Sequence, residues 1–258
     1  MKDLSVRVLS GLIGIVLLLF IVYKGGILLN LSIYIVSIIG IRELYKAFEK
    51  IDINPVYPIG YIGSTMMLLA FIYKPELINL VLALSIIISM SLIVFTKDRN
   101  IKDIGVTLLG IFYIPFLLFH IIYLGNTKYI WLIFIISFGT DTFAYITGNL
   151  IGKRKLSPNV SPNKTIEGSI GGIIGAIVLS LIYANLKDIS SPIHIILISL
   201  IGSVVSQIGD LTASKVKRYA GIKDYGFIMP GHGGILDRFD SIIFATPVVY
   251  YYIKIFII

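Results

Sequence analysis

The sequence predicts an all-α, polytopic integral membrane protein with about nine transmembrane helices and a cytoplasmic N-terminus. Three observations predict it. Apolar residues fill 57% of the 258 positions and charged residues only 14%, whereas a soluble domain carries about 45–50% and about 25%. The apolar residues gather into nine continuous runs, near the about 20 residues that a helix needs to cross hydrocarbon. Lysine and arginine fall between the runs in an alternating pattern, as the positive-inside bias requires.

The runs are 6–23, 27–41, 57–73, 79–95, 104–124, 129–150, 169–186, 193–210 and 241–258. In lipid every backbone N–H and C=O must bond internally, so each run is read as a helix. The alternation of a membrane β-barrel is absent. The first run follows Lys2 and Arg7, as a secretory signal does. It has no alanine before Ala47 to form a cleavage site, so it is read as a retained anchor.

Orientation follows from the basic residues. One side of the bilayer holds Lys2, Arg7, Arg42, Lys46, Lys50, Lys97, Arg99, Lys102 and every Lys and Arg of the loops near 153–164 and 215–238. The other side holds only Lys24, Lys74, Lys128, Lys187 and Lys254. The first side is therefore expected in the cytoplasm of a cell membrane.

Composition excludes several chemistries. Cysteine is absent and histidine occurs three times, which removes disulfides, thiol nucleophiles and Cys-ligated zinc. Any metal is expected to be a hard cation held by oxygen. The net charge of +8 does not imply nucleic acid, because the charge density is low and the charges sit at membrane edges.

Residues 1–128 read as packing helices, a scaffold. Arg42, Glu43 and Lys46 read as a solvated juxtamembrane stretch. His120 and His194 read as hydrogen-bonded structural histidines. From residue 129 the polar residues become organised. Ser137, Asp141, Tyr145 and Gly148 share one helix face, as do Ser203, Ser206, Gln207 and Asp210. Asp237, Asp240 and Ser241 cluster at the start of the last run. Carboxylates at membrane depth mark function by default. Residues 129–258 are therefore expected to carry the chemistry, with two long basic cytoplasmic loops at 152–168 and 214–240. Lysines and arginines there suit phosphates, and glycines let backbone N–H groups approach an anion. A transporter with an ion pathway is the rival reading from another class. Against it, the carboxylates cluster on the cytoplasmic side and the outer loops are short.

The second loop also carries a motif. Ser214, Lys215, Lys217 and Arg218, then Lys223, Asp224 and Gly226, then Pro230, Gly231, His232, Gly233, Gly234, Ile235, Leu236, Asp237, Arg238, Phe239 and Asp240 resemble the signature of the phosphatidate cytidylyltransferase (CDP-diacylglycerol synthase) family. Upstream, Asp141, Ala144, Tyr145 and Gly148, then Ser161, Pro162, Lys164, Thr165, Glu167 and Gly168, resemble a second stretch of that family. Gln207, Gly209, Asp210 and Ser214 resemble a third. Met229 stands where the family has Leu, Ile or Phe, a conservative exchange.

The resemblance implies transfer of the cytidylyl group of CTP to phosphatidate, giving CDP-diacylglycerol and pyrophosphate. It implies magnesium as cofactor, with Asp210 and Asp237 as principal ligands. Asp240 and Asp141 follow as further ligands or as partners that orient Lys and Arg. The number of carboxylates is compatible with a second cation. Lys223 and Arg238 are expected to act with the two aspartates in catalysis. Lys164, Thr165, Ser214, Lys215, Lys217, Arg218, His232, Gly233 and Gly234 are expected to bind substrate. The family also implies a homodimer.

Overall fold

The computed structural model describes residues 2–189, 191–228, 231 and 233–257, with backbone alone for 2–8. Met229, Pro230 and His232, all within the motif, lie outside the described residues.

The apolar runs are helical, as the absence of water partners in lipid dictates. In chain order the elements are α1 (Lys2–Lys24), α2 (Gly26–Glu49), α3 (Tyr57–Tyr73), α4 (Ile78–Phe95), α5 (Ile101–Ile111), α6 (His120–Leu124), α7 (Ile130–Ile151), β1 (Lys155–Ser157), β2 (Ser161–Thr165), α8 (Ile166–Leu186), α9 (Pro192–Tyr219) and α10 (Leu236–Phe256). Among the described residues seven helical segments are long and apolar enough to cross a membrane, and Leu9–Lys24 and Tyr57–Tyr73 are shorter apolar helices. Each expected run thus lies mainly on helix, and seven of them fall on segments long and apolar enough to cross a membrane. Large exposed side chains such as Leu12, Ile13, Leu17, Ile87, Ile174 and Ile182 give the helices the apolar exterior that a bilayer requires. This is a multi-pass membrane protein.

Three local departures from the sequence reading have physical causes. The run at 104–124 is not one straight helix. Pro115 sits in a π-helical stretch, Phe112–Phe116, because its ring displaces one carbonyl and removes one N–H. The loop at 152–168 contains an antiparallel hairpin, in which Lys155 pairs with Thr165 and Ser157 with Ser161. The eighth run does not end at Asp210: α9 continues to Tyr219, so Ser214, Lys215, Lys217 and Arg218 are helical. The second loop shrinks accordingly to 220–235.

The chain divides into two compact units. Unit 1 comprises Met1–Gly125 and Tyr219–Phe239, and unit 2 comprises Asn126–Arg218 and Asp240–Ile258. Unit 1 thus holds residues 219–239, most of the second loop, together with the N-terminal helices.

In unit 1, α2 and α3 are joined by polar contacts inside an apolar seam, Ser37 to Ser64 at 2.9 Å and Tyr34 to Thr65 at 2.8 Å. Tyr45 is fully buried and its hydroxyl donates to the Thr107 carbonyl at 2.7 Å. Asn100 and Asp103 form a capping box at the start of α5. The Asp103 carboxylate also accepts the Asn54 N–H at 2.7 Å, which ties the α2–α3 connection to α5. His120 is buried, with Nδ1 at 3.2 Å from the Leu117 carbonyl, as a structural histidine should be.

Unit 2 is built on α7 and α8. A Cβ added at Gly172 would lie 2.7 Å from the Thr140 carbonyl oxygen and 3.1 Å from Cβ of Ala144. Only glycine permits that approach, the usual device for helix contact in lipid, where no hydrophobic force pulls helices together. The hairpin leads into α8 through Thr165, whose Oγ1 accepts the Gly168 N–H at 3.1 Å as an N-cap. Glu167, in the first turn, accepts the N–H of Lys153 at 3.0 Å and of Arg154 at 3.1 Å.

Candidate active site

Three helices of unit 2 each supply an aspartate: Asp141 from α7, Asp210 from α9 and Asp240 from α10. Asp240 is buried, and the charges acting on it are Asp210, Asp141 and, with opposite sign, Lys217. Its Oδ1 accepts the Ser241 N–H at 2.8 Å, and the Ser241 hydroxyl donates to Asp141 Oδ2 at 3.4 Å. Asp210 is ion-paired with Lys164, which arrives from β2. One turn further along α9, the Ser214 hydroxyl donates to Asp210 Oδ1 at 3.4 Å. Carboxylates gathered this way repel unless cations compensate them. Lys164 and Lys217 do so here. The Lys164–Asp210 pair remains 29% and 23% exposed, so water screens it and exchanging one partner costs little.

In unit 1 two carboxylates organise the loop that precedes α10. Asp237 Oδ2 accepts the N–H of Tyr225 at 2.8 Å and of Gly234 at 2.9 Å. Glu43, from α2, accepts the N–H of Ile235 on Oε1 at 3.0 Å and of Leu236 on Oε2 at 2.8 Å. Gly233 has φ +86° with Asp237 directly beneath it, a backbone state that favours glycine. Beside this loop lies a cleft of about 740 Å³, lined by Arg42, Glu43, Lys46 and Lys50 of α2 and by residues 221–228, Lys223 among them. The four cations of this lining outnumber its two carboxylates, Glu43 and Asp224, and give the cleft an affinity for anions.

Residues 5–256 match the model of the cytidylyltransferase family. The chain belongs to the cytidylyltransferase family. It is 34% identical over 268 residues to a phosphatidate cytidylyltransferase of Bacillus subtilis strain 168, covering 99% of this chain and 100% of that protein. Proteins of the same name from Staphylococcus epidermidis strain RP62A and Staphylococcus aureus strain COL are each 36% identical to it, with 95% of this chain and 97% of theirs covered.

Set within this cytidylyltransferase, the expected site residues fall into two groups. Asp141, Lys164, Thr165, Asp210, Ser214, Lys215, Lys217, Arg218 and Asp240 belong to unit 2, while Lys223, Gly233, Gly234, Asp237 and Arg238 belong to unit 1. Lys215 and Arg218 are exposed on the last turns of α9, and Lys223 and Arg238 are exposed in unit 1. Thr165 is the buried N-cap of α8, a structural task beside the anion-binding one expected of it. His232 lies outside the described residues.

Glu43 is the correction. The expected solvated glutamate is 5% exposed and caps the last helix. A signal was present in the sequence. Ser37, Gly40, Leu44 and Ala47 are buried on α2, and position 43 falls on that same face at three- and four-residue spacing. His194 is 3.1 Å from the Tyr252 hydroxyl, consistent with its structural reading.

The donors of this cytidylyltransferase suit a hard cation. Its acids are carboxylates, and His120 and His194 are engaged elsewhere. Among the described residues no three acidic, cysteine or histidine groups form a ready-made cage. Magnesium seldom uses one, since one or two carboxylates, waters and substrate phosphates complete its octahedron.

Proposed function

We propose that the protein transfers the cytidylyl group of CTP to phosphatidate at the cytoplasmic face of the cell membrane. The supporting observation is the family match over residues 5–256, together with relatives that bear this activity in their names at 34–36% identity over almost their full length. The lipid phosphate oxygen attacks the α-phosphorus of CTP. A new P–O bond forms, the α–β bridging bond breaks, and pyrophosphate departs with the electron pair. The phosphate nucleophile is already ionised at neutral pH, so the chain needs no general base.

Both reactants are polyanions, and charge repulsion is the first obstacle. Lys215, Lys217 and Arg218 on α9, with Lys164, Lys223 and Arg238, neutralise the triphosphate and the lipid headgroup. Arginine does this with paired N–H donors and lysine as a point charge. Gly233 and Gly234 serve the substrate site through the shape of their loop, since the carboxylates of Asp237 and Glu43 already fill the space against them. Positioning and electrostatics then supply most of the acceleration. Asp210 and Asp237 would hold magnesium, with Asp141 and Asp240 as further ligands or as partners that orient Lys and Arg. The ion would supply Lewis-acid stabilisation of phosphate charge. Phe227, 89% exposed at the edge of the basic cleft, suits contact with the lipid surface from which phosphatidate comes. Two copies of the chain form the working enzyme in this reading.

The test is an assay of purified protein in detergent with labelled CTP, phosphatidate and magnesium. Label should enter organic-soluble lipid with release of pyrophosphate, and ATP, GTP and other lipid phosphates should substitute poorly. Chelation of magnesium should abolish incorporation, and re-addition should restore it. No transfer to any lipid phosphate would sink the reading.

A further inference from the structure

We propose that Glu43 is a positioning residue of the active site: its buried carboxylate on α2 fixes the glycine loop and the first turn of α10, so that Asp237 and Arg238 face the substrate in one geometry. The phrase "face the substrate" rests on the cytidylyl-transfer reading, whereas the anchoring stands on geometry alone.

The first N–H groups of any helix lack intrahelical partners, and a local Ser, Thr, Asp or Asn usually caps them. At α10 the acceptor comes instead from 192 residues earlier in the chain. Glu43 spends one oxygen on each of two consecutive N–H groups, at 3.0 and 2.8 Å. Such bonds are charge-assisted and favoured by the helix dipole. The loop is shaped around this carboxylate. A Cβ at Gly234 would lie 2.7 Å from Glu43 Cδ, and one at Gly226 would lie 3.0 Å from it. Glu43 therefore touches both ends of the segment 226–234. Asp237 holds the same segment through the Tyr225 and Gly234 N–H groups. Two carboxylates thus share four backbone amides, and the one expected to meet the substrate is not left to hold the loop alone.

Losing Glu43 removes the anchor without touching the reacting groups. Glutamine does not replace it, since one of its two terminal atoms is an N–H donor facing another donor. Misplacement by about 1 Å costs on the order of 10²-fold in rate. The loss should fall on turnover and spare ground-state binding.

The experiment compares E43Q, E43A, E43D and G226A, and the double variant E43A/G226A, as full-length protein in detergent. E43Q and E43A should lower kcat about 10- to 100-fold while KM for CTP stays within about threefold. Amide exchange should quicken at 225–237 and remain unchanged in α7 and α8. E43D should recover part of both. G226A, which pushes a methyl into the carboxylate, should mimic E43Q in the parent but cost much less in E43A, where the carboxylate is gone and only Gly234 Cα, 3.3 Å from the added Cβ, still presses on it. Parent-like kcat and parent-like exchange in E43A would overturn the proposal. So would a G226A loss that adds in full to that of E43A. If E43A fails to fold, E43D and G226A decide by the same two readouts. If the parent makes no lipid from CTP, the functional reading fails, and exchange at 225–237 still decides whether Glu43 is the anchor.

Discussion

At the residue scale, carboxylates in this protein do two different jobs, and their partners separate them. Glu43 and Asp237 accept backbone N–H groups, whereas Asp141, Asp210 and Asp240 gather charge with Lys164 and Lys217 around them. Asp237→Asn tests whether Asp237 does more than hold the loop. The asparagine carbonyl can still accept the Tyr225 and Gly234 N–H groups, but the negative charge is gone. Folded protein with kcat reduced by about 100-fold or more is expected, the scale of losing one electrostatic contact at a reacting centre. Full activity with ordinary magnesium dependence would remove Asp237 from the chemistry. Thr165 yields a different outcome. Thr165→Ala deletes the α8 N-cap and should lower stability by about 1 kcal/mol, whereas Thr165→Ser retains the hydroxyl and should preserve it. The thermal midpoint in detergent reads both.

At the scale of the elements, small residues set how closely helices approach. Gly172→Ala would drive a methyl toward the Thr140 carbonyl, 2.7 Å from where that Cβ would sit. The α7–α8 pair must then part, at a cost of about 1–3 kcal/mol. Gly105→Ala is the control. Gly105 lies inside α5 with nothing within 4 Å of its Cβ position, so alanine should raise stability by about 0.5–1 kcal/mol. Unfolding of the two variants in mixed detergent should move in opposite directions. The length of α9 matters as well. Its continuation to Tyr219 places Ser214 one turn beyond Asp210 and lets its hydroxyl bond the carboxylate, a relation no flexible loop would fix.

At the scale of the whole molecule, the distribution of Lys and Arg fixes a testable topology. The chain has no cysteine, so single cysteines can be introduced against a silent background. Cysteines in place of Lys97, Lys153 and Lys223 should react with an impermeant maleimide only when the inner face is opened. Cysteines in place of Lys74, Lys128 and Lys187 should react in intact cells. The reverse pattern would invert the proposed orientation and put the basic cleft on the wrong side for CTP.

The sequence by itself determined the membrane class, where the apolar helices fall along the chain and the residues of the motif, because hydropathy and residue chemistry are local properties that need no partner to be read. It also placed His120 and His194 correctly as structural groups. It did not show that Glu43 is buried, that α9 runs on past Asp210, or that 155–165 forms a hairpin. A polar residue's fate depends on what lies against it, and a glutamate between Arg42 and Leu44 looks the same whether it meets water or two backbone amides from the far end of the chain. Only the tertiary structure brings those amides to Glu43, through contacts about 190 residues apart in sequence that no local pattern encodes.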